Sequence, residues 1–323
     1  MDVVEVTGGG RENLVPGTPL LEVEDLHIEF HTQDGVAKAV NGVSYSVAAG
    51  ETLAVLGESG SGKSVTAQAV MGILDMPPGK ITAGRILFRG EDMLTMSPKL
   101  RRTVRGRRIA MIFQDALSAL NPVLSVGYQL GEMFRVHQGL SRAEARAKAV
   151  ELMERVRIPA AKQRVGDFPH QFSGGMRQRI MIAMALALEP DLIIADEPTT
   201  AITHDLGVVA DVADKIAVMY AGRIVETAPV HELYARPAHP YTRGLLDSIP
   251  RLDQKGQDLH AIKGLPPNLL SIPQGCAFNP RCDRVRDVCL TELPPLVPVA
   301  DEEGAELPGR RSACHYWRET LHG

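Results

Sequence analysis

Aromatic residues make up only 4% of the 323-residue sequence, and no apolar run approaches the roughly 20 residues that a membrane-spanning helix needs. The most apolar stretch, Ile180 to Leu188, is closed by Glu189-Pro190, so the chain is expected not to cross a membrane. A basic start followed by an apolar stretch is also lacking; no secretory signal is expected, and the chain is placed on the cytoplasmic side. Nor is there an excess of positive charge: the formal net charge is −4, which speaks against a surface coated for nucleic acid. The basic run from Lys99 to Arg108 reads as a solvated helix face or as a contact for anionic lipid or a partner. Cysteine is missing from the first 275 residues. All four, Cys276, Cys282, Cys289 and Cys314, lie beyond, and in a reducing compartment such a cluster points to metal ahead of disulfides.

What is present is an alternation of short β-like runs and helix-like segments. The runs Leu21–Val23, Val43–Val47, Thr52–Leu56, Ile109–Phe113, Leu192–Ala195 and Lys215–Met219 are interspersed with Ser141–Val156 and Gly174–Leu188, which predicts an α/β nucleotide-binding domain. Leu21–Val47 and Arg85–Arg89 read as hairpin material, hence an antiparallel subdomain beside the main sheet. Residues 1–19, rich in Gly, Pro and charge, are expected to form a loose tail. The main domain spans 20–236, and a Pro-rich, irregular, cysteine-bearing region follows over 237–323.

Gly57-Glu58-Ser59-Gly60-Ser61-Gly62-Lys63-Ser64 follows the apolar run Thr52–Leu56 and precedes a helix-compatible stretch, the setting a phosphate loop requires. The glycines let successive N–H groups turn inward around phosphate oxygens, and the following helix points its positive end there. Lys63 then reaches the β- and γ-phosphates, and the Ser64 hydroxyl is placed for Mg²⁺. Leu192–Asp196 reads as a buried strand ending in a carboxylate; Asp196 is the second Mg²⁺ contact, through water, and Glu197 the general base or the polariser of the attacking water.

Phe172-Ser173-Gly174-Gly175-Met176-Arg177-Gln178-Arg179 resembles the signature motif of ABC ATPases, in the form found in peptide-importer subunits. Ser173, Gly174 and Gly175 at a helix start make a second anion-binding N-terminus, and the resemblance implies that it binds the γ-phosphate held by a partner subunit. The resemblance covers about residues 20–323 and brings further roles. It implies that Gln114 touches Mg²⁺ or water and links the site to the membrane subunits, that His204 contacts the γ-phosphate, and that Phe30 stacks on adenine. The segment Arg236–Thr242 and the region from Cys276 to Cys314 are similar to the tails of oligopeptide, dipeptide and nickel importers. That similarity implies a four-iron four-sulfur cluster on the four cysteines. The spacings alone leave Fe–S, zinc or unligated thiols open, since the short Cys pairs common in structural zinc sites are absent.

The fold so implied is an ABC-type P-loop NTPase: a mainly parallel sheet, an antiparallel β subdomain, a helical subdomain and a small C-terminal region. The implied function is ATP hydrolysis driving di- or oligopeptide import, with ATP and Mg²⁺, a second cassette subunit, two transmembrane permease subunits and an extracytoplasmic substrate-binding protein. The alternatives are a non-catalytic nucleotide-binding partner and a soluble, non-transport ATPase of the same superfamily. One feature of the sequence sits badly with the pattern. Only the seven residues 197–203 separate Asp196 from His204, whereas parallel neighbouring strands need a crossover of a dozen or more. The resemblance implies a loop, a helix and a strand at this point, so an element is expected to be missing between Ala201 and Ile202.

Overall fold

The structure, a computed structural model, describes residues 2–5, 17–115, 119–196, 206–248 and 262–322. Two sheets and a helical cluster make up the main domain. The smaller sheet is antiparallel, in the order β3-β2-β5-β6, with β2 at Pro19–Thr32, β3 at Gly35–Ala48, β5 at Gly79–Phe88 and β6 at Glu91–Asp92. Leu21, Val23, Leu26 and Ile28 alternate toward the interior and are buried, which is the half-buried strand pattern and explains the hairpin reading.

The larger sheet runs β11-β12-β10-β9-β4-β1-β8-β7. Its functional centre is built from β4 (Thr52–Leu56), β7 (Ile109–Ile112), β8 (Leu192–Asp196) and β9 (Lys215–Tyr220). The pairs β4·β9 and β7·β8 are parallel. Strands β7 and β8 are buried along their whole length, as expected of strands covered on both faces. Strand β10 (Arg223–Pro229) returns antiparallel to β9, and β11 (Val297–Ala300) and β12 (Glu306–Ser312) extend that edge from the C-terminal region.

Strand β1 is the departure. The sequence pattern expects a loose tail over 1–19, yet Asp2–Glu5 form a strand antiparallel to both β4 and β8, with Val3 opposite Ala54 on one side and Ala195 on the other. The slot beside the Asp196 strand is therefore filled by a segment from the other end of the sequence, pointing against its neighbours. Two facing strand edges carry N–H and C=O groups that must be paired, and this short strand meets both ladders at once. The Ala201–Ile202 junction lies outside the described residues.

The helical cluster comprises helices Val126–Gln138, Arg142–Arg155, Ala161–Arg164 and Gly174–Leu186, packed around Val126, Leu130, Phe134, Leu152, Met153 and Ile180. Ser141 and Glu144 form a reciprocal capping box that fixes the start of one helix. The basic run is partly structural. Arg101 donates to the carbonyls of Leu94 and Met96 at 3.0 and 3.1 Å, and Arg108 joins Arg89 on the fully buried Asp191 at 3.1 and 2.8 Å. No helix among the described residues is long and apolar enough to cross a membrane.

Candidate functional site

Strand β4 delivers the chain into the loop Gly57–Gly62, and helix Lys63–Met71 carries it away. Two glycines are required by contact as well as by φ. A Cβ on Gly57 (φ 154°) would lie 2.3 Å from the Met219 carbonyl oxygen, and one on Gly62 (φ 105°) would lie 2.5 Å from that of Ala39. The loop is thus pressed against β9 and β3. Lys63, itself buried, donates from Nζ to the carbonyls of Gly57 (2.9 Å) and Glu58 (3.2 Å) and to Ser61 Oγ (3.4 Å). These contacts curl the loop around the ammonium.

Ser64 Oγ, one residue on, donates to Asp196 Oδ1 at 3.1 Å. Residues 132 positions apart are thereby joined, because the strand ending in Asp196 runs parallel to β4 across the inserted β1. A hydroxyl and a carboxylate at this distance form a hard-oxygen pair of the kind Mg²⁺ prefers. Gln114 lies exposed just past the end of β7. Glu197 and His204 lie outside the described residues. Phe30 is partly buried against the core beneath the small sheet.

Ser173 caps helix Gly174–Leu186, accepting from the Met176 N–H at 3.4 Å. Ser173, Gly174 and Gly175 are exposed, and a Cβ on either glycine would meet nothing within 4 Å. This N-terminus is open to solvent on the helical cluster and free to meet another molecule.

The C-terminal region contributes what sequence reasoning missed. Tyr241 Oη accepts the Glu58 N–H at 2.8 Å, and Arg281 grips the Glu58 carboxylate at 2.6 and 2.9 Å. Tyr241 lies in the Arg236–Thr242 segment and Arg281 in the Cys276–Cys314 region that the sequence singles out, but no spacing or periodicity links either to position 58. Nearby, Cys276, Cys282, Cys289 and Cys314 all line one small cavity together with His239 and Tyr316. Burial pushes the Cys282 thiol up to about 11 and Cys314 to about 12, and raises Cys276, with neighbouring cysteines adding to each shift. All four are free thiols, and among the described residues no group of three or more His, Cys, Asp or Glu is arranged to hold a metal ion. The iron–sulfur expectation thus meets four thiols lining one cavity but no metal-binding group among the described residues.

Comparison with known proteins bears directly on this arrangement. Residues 40–200 match the family model "ABC transporter", and residues 225–289 match "Oligopeptide/dipeptide transporter, C-terminal region". The oligopeptide transport ATP-binding protein of Bacillus subtilis is 49% identical over 311 residues, covering 88% of this chain and 87% of that protein. This chain belongs to the ABC transporter family. The corresponding protein of Salmonella typhimurium is 45% identical, covering 93% and 94%, and the dipeptide transport ATP-binding protein of Bacillus subtilis is 48% identical, covering 84% and 88%. A dimeric ATP-binding cassette solved with ADP and phosphate superimposes with a TM-score of 0.57 at 21% identity, covering 65% of this chain and 98% of that one; this likeness is one of fold. A Clostridium perfringens cassette, part of an ABC transporter complex, gives 0.53 at 27% identity, covering 67% and 91%. The lengths carry a further finding about this ABC subunit. The 311-residue stretch of the Bacillus protein is met by 88% of 323 residues, about 284, so about 27 of its residues have no counterpart here. For the Salmonella protein, 325 against 93%, about 300, leaves about 25. The ABC transporter match itself ends at residue 200.

A buried carboxyl supports the segment that carries Tyr241. Glu226 on β10 accepts the Ala238 N–H at 2.7 Å, while its Oε2 is buried without a hydrogen-bond partner. Burial pushes its carboxyl from an ordinary 4.5 up to about 7, against the opposing pull of the Ala238 N–H and the Arg310 charge. His239 beside it is pushed down to about 3 by burial and stays neutral, so its Nδ1 accepts the Tyr241 N–H at 3.0 Å. The folded state thus holds a proton on Glu226 that the unfolded state has released. Stability from this group is complete below pH 4.5 and is lost as pH rises toward and through about 7. Glu226→Gln is expected to remove this slope, and by pH 8 to be more stable than the parent by up to about 3 kcal/mol. Thermal unfolding of both chains between pH 5 and 8 checks this, and parallel profiles would refute the assignment.

Proposed function

We propose that this chain is the ATP-hydrolysing subunit of an importer for dipeptides and oligopeptides, seated at the cytoplasmic face of the membrane. The observation that carries the reading is the Ser64–Asp196 contact of 3.1 Å at the mouth of a loop curled around Lys63. The loop N–H groups and the helix Lys63–Met71 take the phosphates, and Lys63 exchanges its carbonyl contacts for phosphate oxygens. Ser64 and Asp196 would hold Mg²⁺, which would supply neutralisation of phosphate charge. Phe30 stacks on adenine, Gln114 and Glu197 order the attacking water, and His204 contacts the γ-phosphate. Ser173, Gly174 and Gly175 serve the site of a second cassette, for which their exposure suits them. Two such subunits closing on two ATPs move a pair of transmembrane permeases, which receive peptide from an extracytoplasmic binding protein.

The similarity of residues 225–289 to the oligopeptide/dipeptide C-terminal region supports the substrate class. One observation favours a second reading, a partner that binds nucleotide without turning it over: the 25 to 27 residues of the relatives that lack a counterpart. Peptide-stimulated phosphate release by the complex assembled with its permeases and a binding protein tests the two. Turnover supports the first reading, and nucleotide binding without turnover supports the second.

For the cysteines, the reading is a four-iron four-sulfur cluster on Cys276, Cys282, Cys289 and Cys314. Four thiols lining one cavity suit a cluster held by four cysteines, and a cationic group would offset the burial that raises Cys276, Cys282 and Cys314. Anaerobically purified protein is expected to show visible charge-transfer absorption and bound iron, both lost in Cys289→Ser. A colourless protein with stoichiometric zinc would overturn this.

A further inference from the structure

The phosphate loop of this chain is held from within by Lys63 and by the Ser61 N–H, which donates to the Glu58 carbonyl at 3.1 Å, and its glycines leave the rest to outside contacts. Gly57, Gly60 and Gly62 all take positive φ and leave the backbone many alternatives when nothing holds it. Contacts from outside the loop supply the remaining restraint. Gly222, in the turn between β9 and β10, donates its N–H to the Ser61 carbonyl at 2.9 Å. The C-terminal region holds the opposite side, through Glu58.

Glu58 is gripped twice. Its backbone N–H is taken by the Oη of Tyr241, a fully buried residue, at 2.8 Å. Its carboxylate receives both terminal nitrogens of Arg281 in a fork, at 2.6 and 2.9 Å. The Arg281 side chain is only 4% exposed, and its remaining donor, Nε, goes to the Lys263 carbonyl at 3.0 Å. A guanidinium so fully engaged has one orientation, and that orientation is imposed on Glu58. The anchor behind it is rigid. Phe278, three residues before Arg281, packs on Tyr220 and Tyr241 with ring centroids 5.3 and 5.4 Å apart, and those two tyrosines lie 4.5 Å from each other. Cys282 follows Arg281 directly, so the cysteine-bearing loop and the phosphate loop share one brace.

We propose that Arg281 and Tyr241 are positioning residues for nucleotide: the C-terminal region sets the affinity of the phosphate loop by holding Glu58, and with it the loop backbone, in the shape that receives phosphate. The inference rests on the reading of Gly57–Ser64 as the nucleotide site. Ordering a glycine-rich loop at the moment of binding costs affinity, and a brace that orders it beforehand removes that cost. The ion pair is mostly withdrawn from water, so truncating one partner leaves the other charge poorly paired.

The test is titration of a fluorescent ATP analogue into the purified full chain, with thermal unfolding of the nucleotide-free protein alongside. Arg281→Met and Glu58→Ala are each expected to weaken binding by on the order of tenfold. Arg281→Lys is expected to recover part of the loss, because a point charge replaces the fork. The double variant is expected to bind no more weakly than Glu58→Ala alone, since Arg281 acts through Glu58. Tyr241→Phe, which removes only the acceptor for the Glu58 N–H, is expected to weaken binding in the same direction. Affinity within twofold of the parent in Arg281→Met, whatever its melting temperature, would reduce the brace to a structural contact and overturn the proposal. So would single losses that multiply in the double variant. Should Arg281→Met fail to fold, Glu58→Gln and Tyr241→Phe carry the same outcomes. Lys63→Ala separates the two levels: a parent chain whose binding does not depend on Lys63 removes the nucleotide site itself, whereas dependence on Lys63 without dependence on Arg281 removes only the brace.

Discussion

Lys63→Ala will abolish most ATP binding, with a loss of about 2–5 kcal/mol, roughly 30-fold to several thousandfold in Kd. The reason is local. The Lys63 side chain is buried beneath the loop, with its ammonium held by the Gly57 and Glu58 carbonyls and Ser61 Oγ, where no other cation is within the loop's own sequence. Removing it leaves those carbonyl oxygens facing the phosphates, so an attraction is replaced by a repulsion. Ser64→Ala is expected to cost less, because on the proposed reading it deletes one Mg²⁺ contact and leaves Asp196 in place. Isothermal titration with ATP and Mg²⁺ measures both. An unchanged affinity in Lys63→Ala would remove the phosphate-site assignment.

The second large effect concerns turnover. Asp196 ends β8, and the next described helix begins at Leu206, leaving residues 197–205 to carry Glu197, His204 and everything between them. The slot beside β8 is taken by Asp2–Glu5, antiparallel to it, and the relatives hold about 25 to 27 residues with no counterpart in this chain. On the proposed reading His204 meets the γ-phosphate, and a strand in register with the Asp196 strand would deliver it there. Assembled with permeases as proposed, this chain is therefore expected to turn ATP over, but more slowly than a chain that carries those residues. Insertion between Ala201 and Ile202 of the loop, helix and strand that the family resemblance implies at this point is expected to raise phosphate release by on the order of 100-fold or more, the scale of one well-placed acid–base group. The inserted chain should also free residues 2–5 from the sheet, which hydrogen exchange at Val3 and Val4 would register. Equal turnover with and without the insertion would show that residues 197–205 complete the site as they stand.

The elements that act locally were legible beforehand. Gly57–Ser64 announces itself because a phosphate needs consecutive N–H groups, glycines to turn them, and a lysine at a set distance, all within eight residues. Leu192–Asp196 was legible because a strand buried on both faces is continuously apolar until its polar end. Ser173 at the head of its helix, and a helix starting at Ser141, follow from cap chemistry that acts within one turn. The run Lys99 to Arg108 was not readable in the same way. Charge on a helix reads as solvated, and only the buried Asp191 and the carbonyls of Leu94 and Met96 show that Arg101 and Arg108 hold the fold together.

By itself the sequence determined the glycine-rich turn between a strand and a helix, the buried strand ending in Asp196 and the helix start at Ser173, because each is a short-range pattern whose physics is complete within a few neighbouring residues. Tertiary structure alone decided which strand lies beside β8, that Ser64 meets Asp196 across 132 positions, and that Arg281 and Tyr241 clamp Glu58 from 223 and 183 positions away. Such contacts leave no periodicity and no spacing to read, since an ion pair or a strand pairing depends on where the packed chain brings its ends together, and that is settled by the whole core at once.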